Sequence, residues 1–270
     1  MVEILAEAGI SHLGQLRNAL KLADYAKQAE CGTVKFQTFI PDKIYKTGSL
    51  ENSALKTLAL SFSDFVKLSK HCDDIGIEFM STPGDVDSLK FLINECGIKR
   101  IKIGSDDLTY SPLVHAAYMS GKPVLLSTGM ASMNEVSNAL PWKKYKEVDL
   151  TLLHCTSLYP CPNDKLNLRA ITSLSKFGYP VGFSDHTFMF TASCLAIALG
   201  ATVIEKHFCL GNGYNGPDLA VSLSPQELTQ FVKTIKMHEI MLGSGIKEPC
   251  PEEVENAKNW RKGDDGLRRG

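Results

Sequence analysis

The stretch VGFSDHTFMFTASCLAIALGATVIEKHF, from Val181 to Phe208, contains a complete strand, helix and strand pattern. A short apolar run, Val181 to Phe183, leads into a polar Ser-Asp-His sequence. A longer apolar run suited to a helix follows and stops at Gly200, and Val203 and Ile204 then lead into Glu-Lys-His. We predict one βαβ unit whose two strands are parallel neighbours.

A histidine closes each strand of this unit. Neighbouring parallel strands end at the same edge of a sheet, so His186 and His207 are expected side by side. Glu205 lies two residues before His207 and therefore shares its face. Two imidazoles with open positions for water or substrate suit a divalent metal. The competing interpretation, two ordinary core or loop histidines, is the commoner case, so the rest of the chain has to decide.

Short apolar runs alternate with longer amphipathic runs eight times along the chain, which indicates successive βα units. The predicted strands are Glu3 to Glu7, Thr33 to Phe36, Glu78 to Ser81, Arg100 to Ile103, Val124 to Leu126, Leu150 to His154, Val181 to Phe183 and Val203 to Lys206. The predicted helices are Leu16 to Ala29, Ser63 to Ile75, Val86 to Glu95, Ser111 to Ser120, Met133 to Leu140, Leu168 to Phe177, Thr187 to Ala198 and Pro225 to Leu242. Eight such units in about 240 residues predict an α/β fold of the closed (β/α)8 type, a TIM barrel, because a doubly wound open sheet usually has fewer strands.

Two segments lie outside this repeat. Residues 38–59 are expected to form a long loop after the second strand. We expect the barrel to occupy residues 1–245 and an extension to occupy residues 246–270, with a short helix from Glu252 to Trp260.

The amino-acid composition argues against several classes of function. The 270 residues are 44% hydrophobic and 22% charged with a net charge of −1, so the chain has no global attraction to nucleic acid or to an anionic membrane surface. No apolar run reaches the roughly 20 residues of a membrane span, and the first residues lack the basic flank of a signal peptide. We therefore predict a cytoplasmic protein. Its eight cysteines are scattered without a CxxC pair and are interpreted as reduced thiols.

Polar residues stand at the end of every predicted strand, where a barrel of this kind carries its active site. They are Glu7 with Ser11 and His12, Lys35 and Gln37, Ser81 and Thr82, Lys102 with Ser105 to Asp107, Ser127 to Gly129, His154 with Thr156, Ser157 and Tyr159, Ser184 to His186, and Glu205 to His207. Polar groups at all eight ends favour one shared polar cavity.

Two lysines point to an anionic ligand. Lys35 and Lys102 lie inside apolar strands, where burial is costly without a phosphate or carboxylate partner. The turns GSDD (Gly104 to Asp107) and STGMAS (Ser127 to Ser132) precede predicted helices, where backbone amides favour a bound phosphate, although the same residues also cap helices. Neither a P-loop nor a GxGxxG fingerprint occurs, which disfavours nucleotide binding.

The candidate proton carriers near the predicted metal are acidic residues at strand or loop ends: Glu7, Asp185, Glu205 and Asp218. A divalent metal beside an anion pocket with such carboxylates suggests metal-assisted carbon–carbon chemistry on a phosphorylated small molecule.

Taken together, these motifs resemble the N-acetylneuraminate (sialic acid) synthase family, which includes synthases of related sugar acids and spore-coat polysaccharide proteins. The matching pieces are AEAGISHLG (Ala6 to Gly14), VKFQTF (Val34 to Phe39), STP (Ser81 to Pro83), IKIGSDDL (Ile101 to Leu108), LSTGMAS (Leu126 to Ser132), LLHCTSLYPCP (Leu152 to Pro162), GFSDHT (Gly182 to Thr187), IEKHF (Ile204 to Phe208) and GPD (Gly216 to Asp218).

The resemblance implies condensation of phosphoenolpyruvate with an amino-sugar acceptor such as N-acetylmannosamine, with release of phosphate and use of Mn²⁺ or Mg²⁺. By the same transfer, His186 and His207 are the metal ligands, while Lys35, Lys102, Thr82, Ser105, Ser127 and Ser184 hold phosphoenolpyruvate. Gln37, Asp107, Tyr159 and Asp218 face the sugar, and Glu7 and Glu205 handle protons and water. Of these, we expect Glu7, Glu205, Lys35, Lys102 and Asp218 to be catalytic.

The chain also departs from the family pattern, at Ser11, Gly84, Asp106, Leu158 and Leu219. The resemblance implies a homodimer, and we expect this chain to lack the small C-terminal antifreeze-like domain of the family. Two alternatives remain open: a non-catalytic barrel that binds a polysaccharide precursor or a partner enzyme, and a metal-dependent aldolase that uses pyruvate.

Overall fold

The computed structural model of the chain describes residues 2–141 and 148–268. Eight strands occur in this part: β1 Glu3–Gly9, β2 Thr33–Thr38, β3 Glu78–Pro83, β4 Ile101–Ile103, β5 Val124–Ser127, β6 Leu150–His154, β7 Val181–Asp185 and β8 Val203–His207. The α-helices of the same part are α1 Leu16–Gln28, α2 Pro41–Ile44, α3 Leu50–Leu58, α4 Phe62–Ile75, α5 Val86–Asn94, α6 Ser111–Met119, α7 Met133–Ala139, α8 Ala170–Leu174, α9 Thr191–Ala198, α10 Pro225–Leu242 and α11 Pro251–Trp260.

The strands form one parallel sheet in the order β3-β2-β1-β8-β7-β6-β5-β4. The two ends of this order, β3 and β4, pack against each other and bring the sheet round into a nearly closed barrel. The predicted (β/α)8 barrel is therefore confirmed.

Alternation of side chains along the strands divides the core into two layers. Inside the barrel, five side chains form a small apolar cluster: Leu5, Met80, Leu125, Leu153 and Val203. Outside, a much larger cluster packs the strands against the helices. The inner layer is tight at Gly182 of β7, where an added Cβ would lie 2.6 Å from the carbonyl oxygen of Val203. Only glycine fits between these two strands.

Helix ends follow local signals in the sequence. Ser132 accepts a hydrogen bond from the amide of Glu135, whose carboxylate accepts one in return, so α7 begins with a capping box. Helix α4 ends at Gly76, whose φ of 70° is the left-handed conformation that glycine adopts readily.

Three predictions about local structure were wrong. The predicted loop at residues 38–59 contains α2 and α3, which begin with Pro41 at a first-turn position and with Ser49 as an N-cap. The predicted helix from Thr187 begins at Thr191, because Thr187 uses its amide and hydroxyl to contact Asp185 instead. The helix predicted from Leu168 to Phe177 is shorter, since α8 gives way to a 3₁₀ turn at Ser175–Phe177.

The chain divides into two compact units, Met1–Glu239 and Ile240–Gly270. The second contains α11, which confirms the helix expected from Glu252 to Trp260. Residues Arg269 and Gly270 of the predicted extension lie outside the described residues. No helix in the described ranges combines the length and apolarity that crossing a bilayer requires.

Candidate active site

A cavity of about 590 Å³ opens at the carboxyl ends of the barrel strands. Its volume is in the range of small-molecule sites. Fourteen of the side chains predicted for the site line it: Glu7, Lys35, Gln37, Thr82, Lys102, Ser105, Asp107, Ser127, Tyr159, Ser184, His186, Glu205, His207 and Asp218. Other strand-end residues expected in the shared cavity do not line it, among them His12, His154 and Asp185.

The floor of the cavity is a cluster of four buried charges from four strands. Lys35 Nζ lies 2.7 Å from Glu7 Oε2 and 3.7 Å from Glu205 Oε2, and Lys102 Nζ lies 3.8 Å from the same Glu205 oxygen. Lys35 also donates a hydrogen bond to Thr82 Oγ1 at 3.1 Å. All four charged side chains are almost fully excluded from solvent. Their mutual pairing offsets part of the cost of burial.

This buried environment gives the carboxyl groups of Glu7 and Glu205 different pKa values. Burial raises the pKa of Glu7 to about 7, although Lys35 acts in the opposite direction. Burial alone would raise the pKa of Glu205 too, but Lys102 and Lys35 together outweigh it and hold that pKa below its usual range. Glu205 therefore stays ionised, whereas Glu7 can gain or lose a proton near neutral pH.

The two lysines also differ. Burial tends to lower the pKa of Lys35, but Glu205 and Glu7 outweigh it and raise the value, so Lys35 stays charged. Burial lowers the pKa of Lys102, although Glu205 opposes the shift. Among residues 2–141 and 148–268, the Lys102 ammonium has a 3.3 Å hydrogen bond to the carbonyl of Ile103 besides its 3.8 Å approach to Glu205. Lys102 is thus the cation of this cluster with the most to gain from an added anion.

Hydroxyl groups surround the lysines. Ser184 Oγ donates to Glu205 Oε1 at 2.9 Å, and Ser105 Oγ accepts from the amide of Gly129 at 3.0 Å. Ser105 Oγ also lies 3.1 Å from Cys155 Sγ. Through these two contacts, Ser105 links the ends of β4, β5 and β6. Such donors beside two ammonium groups can bind a phosphate or carboxylate.

His186 and His207 lie on one side of the cavity with ring centroids 5.4 Å apart. The Nδ1 of His186 is 2.9 Å from the carbonyl of Thr156, which requires a proton on Nδ1 and leaves Nε2 as the acceptor. Burial lowers the pKa of His186, and burial together with His186 lowers the pKa of His207 well below its usual range. Both rings are therefore neutral, the form that binds metals.

The ring of Tyr159 covers these histidines, with centroids 4.1 Å from His186 and 5.8 Å from His207. Asp218 Oδ2 lies 3.7 Å from His207 Nδ1. Within residues 2–141 and 148–268, no three or more His, Cys, Asp or Glu side chains converge as a ready ligand set. Two imidazoles alone would leave a divalent metal with further positions for water or substrate.

The prediction that Asp185 lies near the metal site was wrong. Asp185, interpreted as a proton carrier, points away from the cavity and is fully buried between the barrel and α9, where Ser193 donates to it. On β7 the side chains alternate, so Ser184 and His186 face the cavity and Asp185 does not.

Some walls of the cavity were missed. Ile44, Tyr45 and Leu55 reach it from the α2 and α3 segment, which the sequence argument treated as a loop. Ser157 and Cys155 also line it. Ser157 was named among the polar residues after the sixth strand, but no role in the site was predicted for it.

Burial also raises the pKa of two further acidic residues that line the cavity. Burial, together with the neighbouring Asp106 carboxylate, raises the pKa of Asp107 to about 7. Burial likewise raises the pKa of Asp218, with Lys35 opposing.

Known proteins resemble this chain over most of its length. A model of the NeuB family matches residues 22–247. The N,N'-diacetyllegionaminic acid synthase of Legionella pneumophila is 40% identical over 93% of this chain and 76% of its own length. The human N-acetylneuraminate-9-phosphate synthase is 30% identical over 93% of this chain and 74% of its own length. A crystal structure of the N-acetylneuraminic acid synthetase of Leptospira borgpetersenii, in complex with citrate, superposes with a TM-score of 0.89 at 35% identity, covering 97% and 93% of the two chains.

Proposed function

The chain belongs to the NeuB family, and we propose that it condenses phosphoenolpyruvate with an open-chain N-acetylhexosamine-type sugar to give a nonulosonic acid and phosphate. The relatives named as synthases of legionaminic and neuraminic acids support this assignment. The resemblance of the strand-end motifs supports the same substrates.

One observation carries the proposal. Two buried ammonium groups and two buried carboxylates meet at the floor of a cavity whose side holds two neutral imidazoles. Phosphoenolpyruvate has a carboxylate and a phosphate, so it can pair with Lys102, whose ion pair with Glu205 spans 3.8 Å. We assign its anionic groups to Lys35, Lys102 and the hydroxyls of Thr82, Ser105, Ser127 and Ser184.

The overall reaction forms a carbon–carbon bond and replaces the phosphate oxygen at C2 by an oxygen from water. The C3 carbon of phosphoenolpyruvate attacks the aldehyde carbon of the sugar, and the aldehyde oxygen takes up a proton to become a hydroxyl. Water then adds to C2 with loss of one proton, and phosphate leaves with cleavage of the C2–O bond while the new C2 hydroxyl loses its remaining proton to give the keto acid; in net terms one of these protons ends on the sugar oxygen and the other on phosphate. Catalysis therefore needs one group that gives a proton and one that guides water.

The two carboxyl groups of the floor suit these tasks. Glu7, with its pKa near 7, can exchange a proton with the sugar oxygen or with the attacking water. Glu205 stays ionised and stabilises positive charge that develops at C2 during the addition. Asp218, Gln37, Tyr159 and Asp107 are proposed to orient the sugar at the mouth of the cavity.

The side chains present fit a divalent metal, Mn²⁺ or Mg²⁺, as the cofactor. Both imidazoles are neutral, and Glu205 Oε2 is buried without a hydrogen bond in the described structure. We propose His186 and His207 as the ligands. A metal bound there would act as a Lewis acid toward the aldehyde of the acceptor.

The assembly and location of the protein complete the proposal. We propose a homodimer that works in the cytoplasm on small-molecule substrates. Light scattering after size-exclusion chromatography tests the dimer directly.

The first experiment incubates the purified protein with MnCl₂, phosphoenolpyruvate and a panel of acceptors. The panel contains N-acetylmannosamine and diacetamido hexoses, because the Legionella relative is named for a diacetylated product. Phosphate release is followed by a coupled assay and the keto acid by mass spectrometry. Sugar-dependent phosphate release with a product of the condensed mass is the expected result.

Two matched variants sharpen this test. His207→Ala should abolish turnover and weaken Mn²⁺ binding, whereas His238→Ala on α10 removes a histidine bonded to a backbone carbonyl and should leave both unchanged. Phosphoenolpyruvate binding without turnover on any acceptor would contradict the proposed acceptor class. Absence of phosphoenolpyruvate binding would favour a non-catalytic barrel, and turnover of pyruvate without phosphate release would favour an aldolase.

A further inference from the structure

A second buried ion pair lies directly behind the two histidines. Asp185 and Lys206 are register partners on β7 and β8, and each stands next to one of the histidines in sequence. Because strand side chains alternate, the histidines face the cavity while Asp185 and Lys206 face α9. Both charged side chains are 0% exposed.

The contacts of this pair converge on the turn that carries His186. Asp185 Oδ1 accepts hydrogen bonds from the amide and the hydroxyl of Thr187 at 2.8 and 2.7 Å, and Oδ2 accepts one from Ser193 Oγ at 2.6 Å. Lys206 Nζ lies 3.4 Å from Asp185 Oδ1 and donates to the carbonyl of Thr187. The residues on both sides of His186 are thus fixed, and one of the tethers comes from the residue before His207.

Stability alone does not explain this arrangement. A buried ion pair gains little over well-packed apolar residues of the same volume, because desolvation of both charges offsets their attraction. A network of hydrogen bonds among buried groups does, however, hold one backbone geometry. The geometry it holds here is the turn from which the ring of His186 projects.

We propose that Asp185 and Lys206 are a positioning pair that sets the spacing of the His186 and His207 rings for metal binding. This inference rests on the proposed function, since the two histidines are the proposed ligands. Neither Asp185 nor Lys206 lines the cavity, so the pair acts only through the histidines and the turn after β7.

Three variants of the full-length chain test the pair. Lys206→Met removes the cation, Lys206→Arg keeps it, and Asp185→Asn with Lys206→Met removes both charges. The control is Ile204→Ala, which truncates a fully buried side chain on the same strand and the same outward face. Mn²⁺ affinity is measured by electron paramagnetic resonance, and the ring nitrogens of the metal-free protein are observed by two-bond ¹H–¹⁵N correlation with His186→Gln for assignment.

We expect Lys206→Met to weaken Mn²⁺ binding by about 10- to 100-fold, to shift the His186 ring signals and to lower kcat with little change in KM for phosphoenolpyruvate. Lys206→Arg should restore binding to within about threefold, while Ile204→Ala should lose stability but keep affinity. The double variant should stay weak. If it recovers wild-type affinity, the pair merely neutralises charge and the proposal is wrong.

The ring signals separate this inference from the proposed function. If the wild-type protein binds no Mn²⁺, the metal assignment fails, but shifted His186 signals in Lys206→Met still support positioning. Unshifted signals in a folded Lys206→Met protein would overturn it. Should that variant not fold, the Lys206→Arg and double variants decide by the same signals.

Discussion

Arg100 holds the end of the barrel opposite the cavity, and its replacement by methionine should destabilise the protein strongly. Its guanidinium donates to Glu3 at 2.7 and 2.5 Å and to Glu78 at 2.9 and 3.0 Å, and it also reaches Thr33 Oγ1 at 3.0 Å. These partners stand at the starts of β1, β2 and β3, while Arg100 directly precedes β4. The network therefore crosses the place where β3 and β4 meet.

The magnitude follows from the burial of the group. Breaking a fully buried ion pair costs about 3–5 kcal/mol, whereas an exposed pair contributes about 0–1 kcal/mol. The side chains of Arg100, Glu3 and Glu78 are 20, 29 and 20% exposed, so the value should lie between these limits. Because Arg100→Met leaves two carboxylates without their shared cation, we expect a loss of about 3 kcal/mol. For a domain of this size the melting temperature should fall by about 6–12 °C.

Urea unfolding followed by circular dichroism and by tryptophan fluorescence measures this loss. Arg100→Lys keeps the charge but not the planar fork, so it should recover only part of the stability. Lys258→Met removes an exposed pair with Glu255 on α11 and should change stability by less than about 0.5 kcal/mol. A loss below about 1 kcal/mol in Arg100→Met, or an equal loss in Lys258→Met, would refute the role given to this network.

Three further predictions concern the site and the inner layer. Lys102→Met should lower kcat/KM for phosphoenolpyruvate by about 100-fold, since a buried charge-assisted contact is lost. The urea midpoint should change little, because the substitution removes both the desolvation cost of the cation and its attraction to Glu205, which keeps Lys35 as a partner. Unchanged kinetics would remove Lys102 from the anion site. Gly182→Ala should cost at least about 2 kcal/mol, because its Cβ would meet the Val203 carbonyl oxygen at 2.6 Å, and a neutral effect in thermal unfolding would contradict the packing described. Asp107→Asn should gain stability relative to the wild type as pH rises. Burial, with Asp106, raises the pKa of Asp107 from 3.8 to about 7, so the wild type loses stability between about pH 4 and 7 and the variant does not. Urea titrations at pH 4.5 and pH 8 that show a constant difference would exclude this titration.

Much of the fold followed from short-range patterns. The alternation of apolar runs predicted the eight strands and the barrel, and the polar residues at the strand ends predicted a cavity that most of the expected site residues line. These features are local, because a period of two along a strand and polar groups at its end depend only on neighbouring residues. The assignment of roles to those residues came from the resemblance and stays a prediction.

Other features depended on contacts between distant parts of the chain. The helices α2 and α3 were missed because the βα repeat assigns one helix to each strand, whereas α2, α3 and α4 all follow β2; packing over the cavity makes α2 and α3 part of its wall. Asp185 was wrongly predicted to lie near the metal because the predicted strand stopped at Phe183. In the structure β7 continues to Asp185, so the alternation of side chains along the strand turns Asp185 away from the cavity.

The sequence by itself determined which residues stand at the strand ends and which of them alternate together. Only the tertiary structure decided which of these groups carry a charge. Glu7 can hold a proton, whereas Glu205 stays ionised. Lys206 is buried against Asp185 behind the histidines. The physical reason is distance. The pKa of a buried group depends on solvent exclusion and on charges a few ångströms away, and closing the barrel brings together groups as far apart in sequence as Lys35 and Glu205.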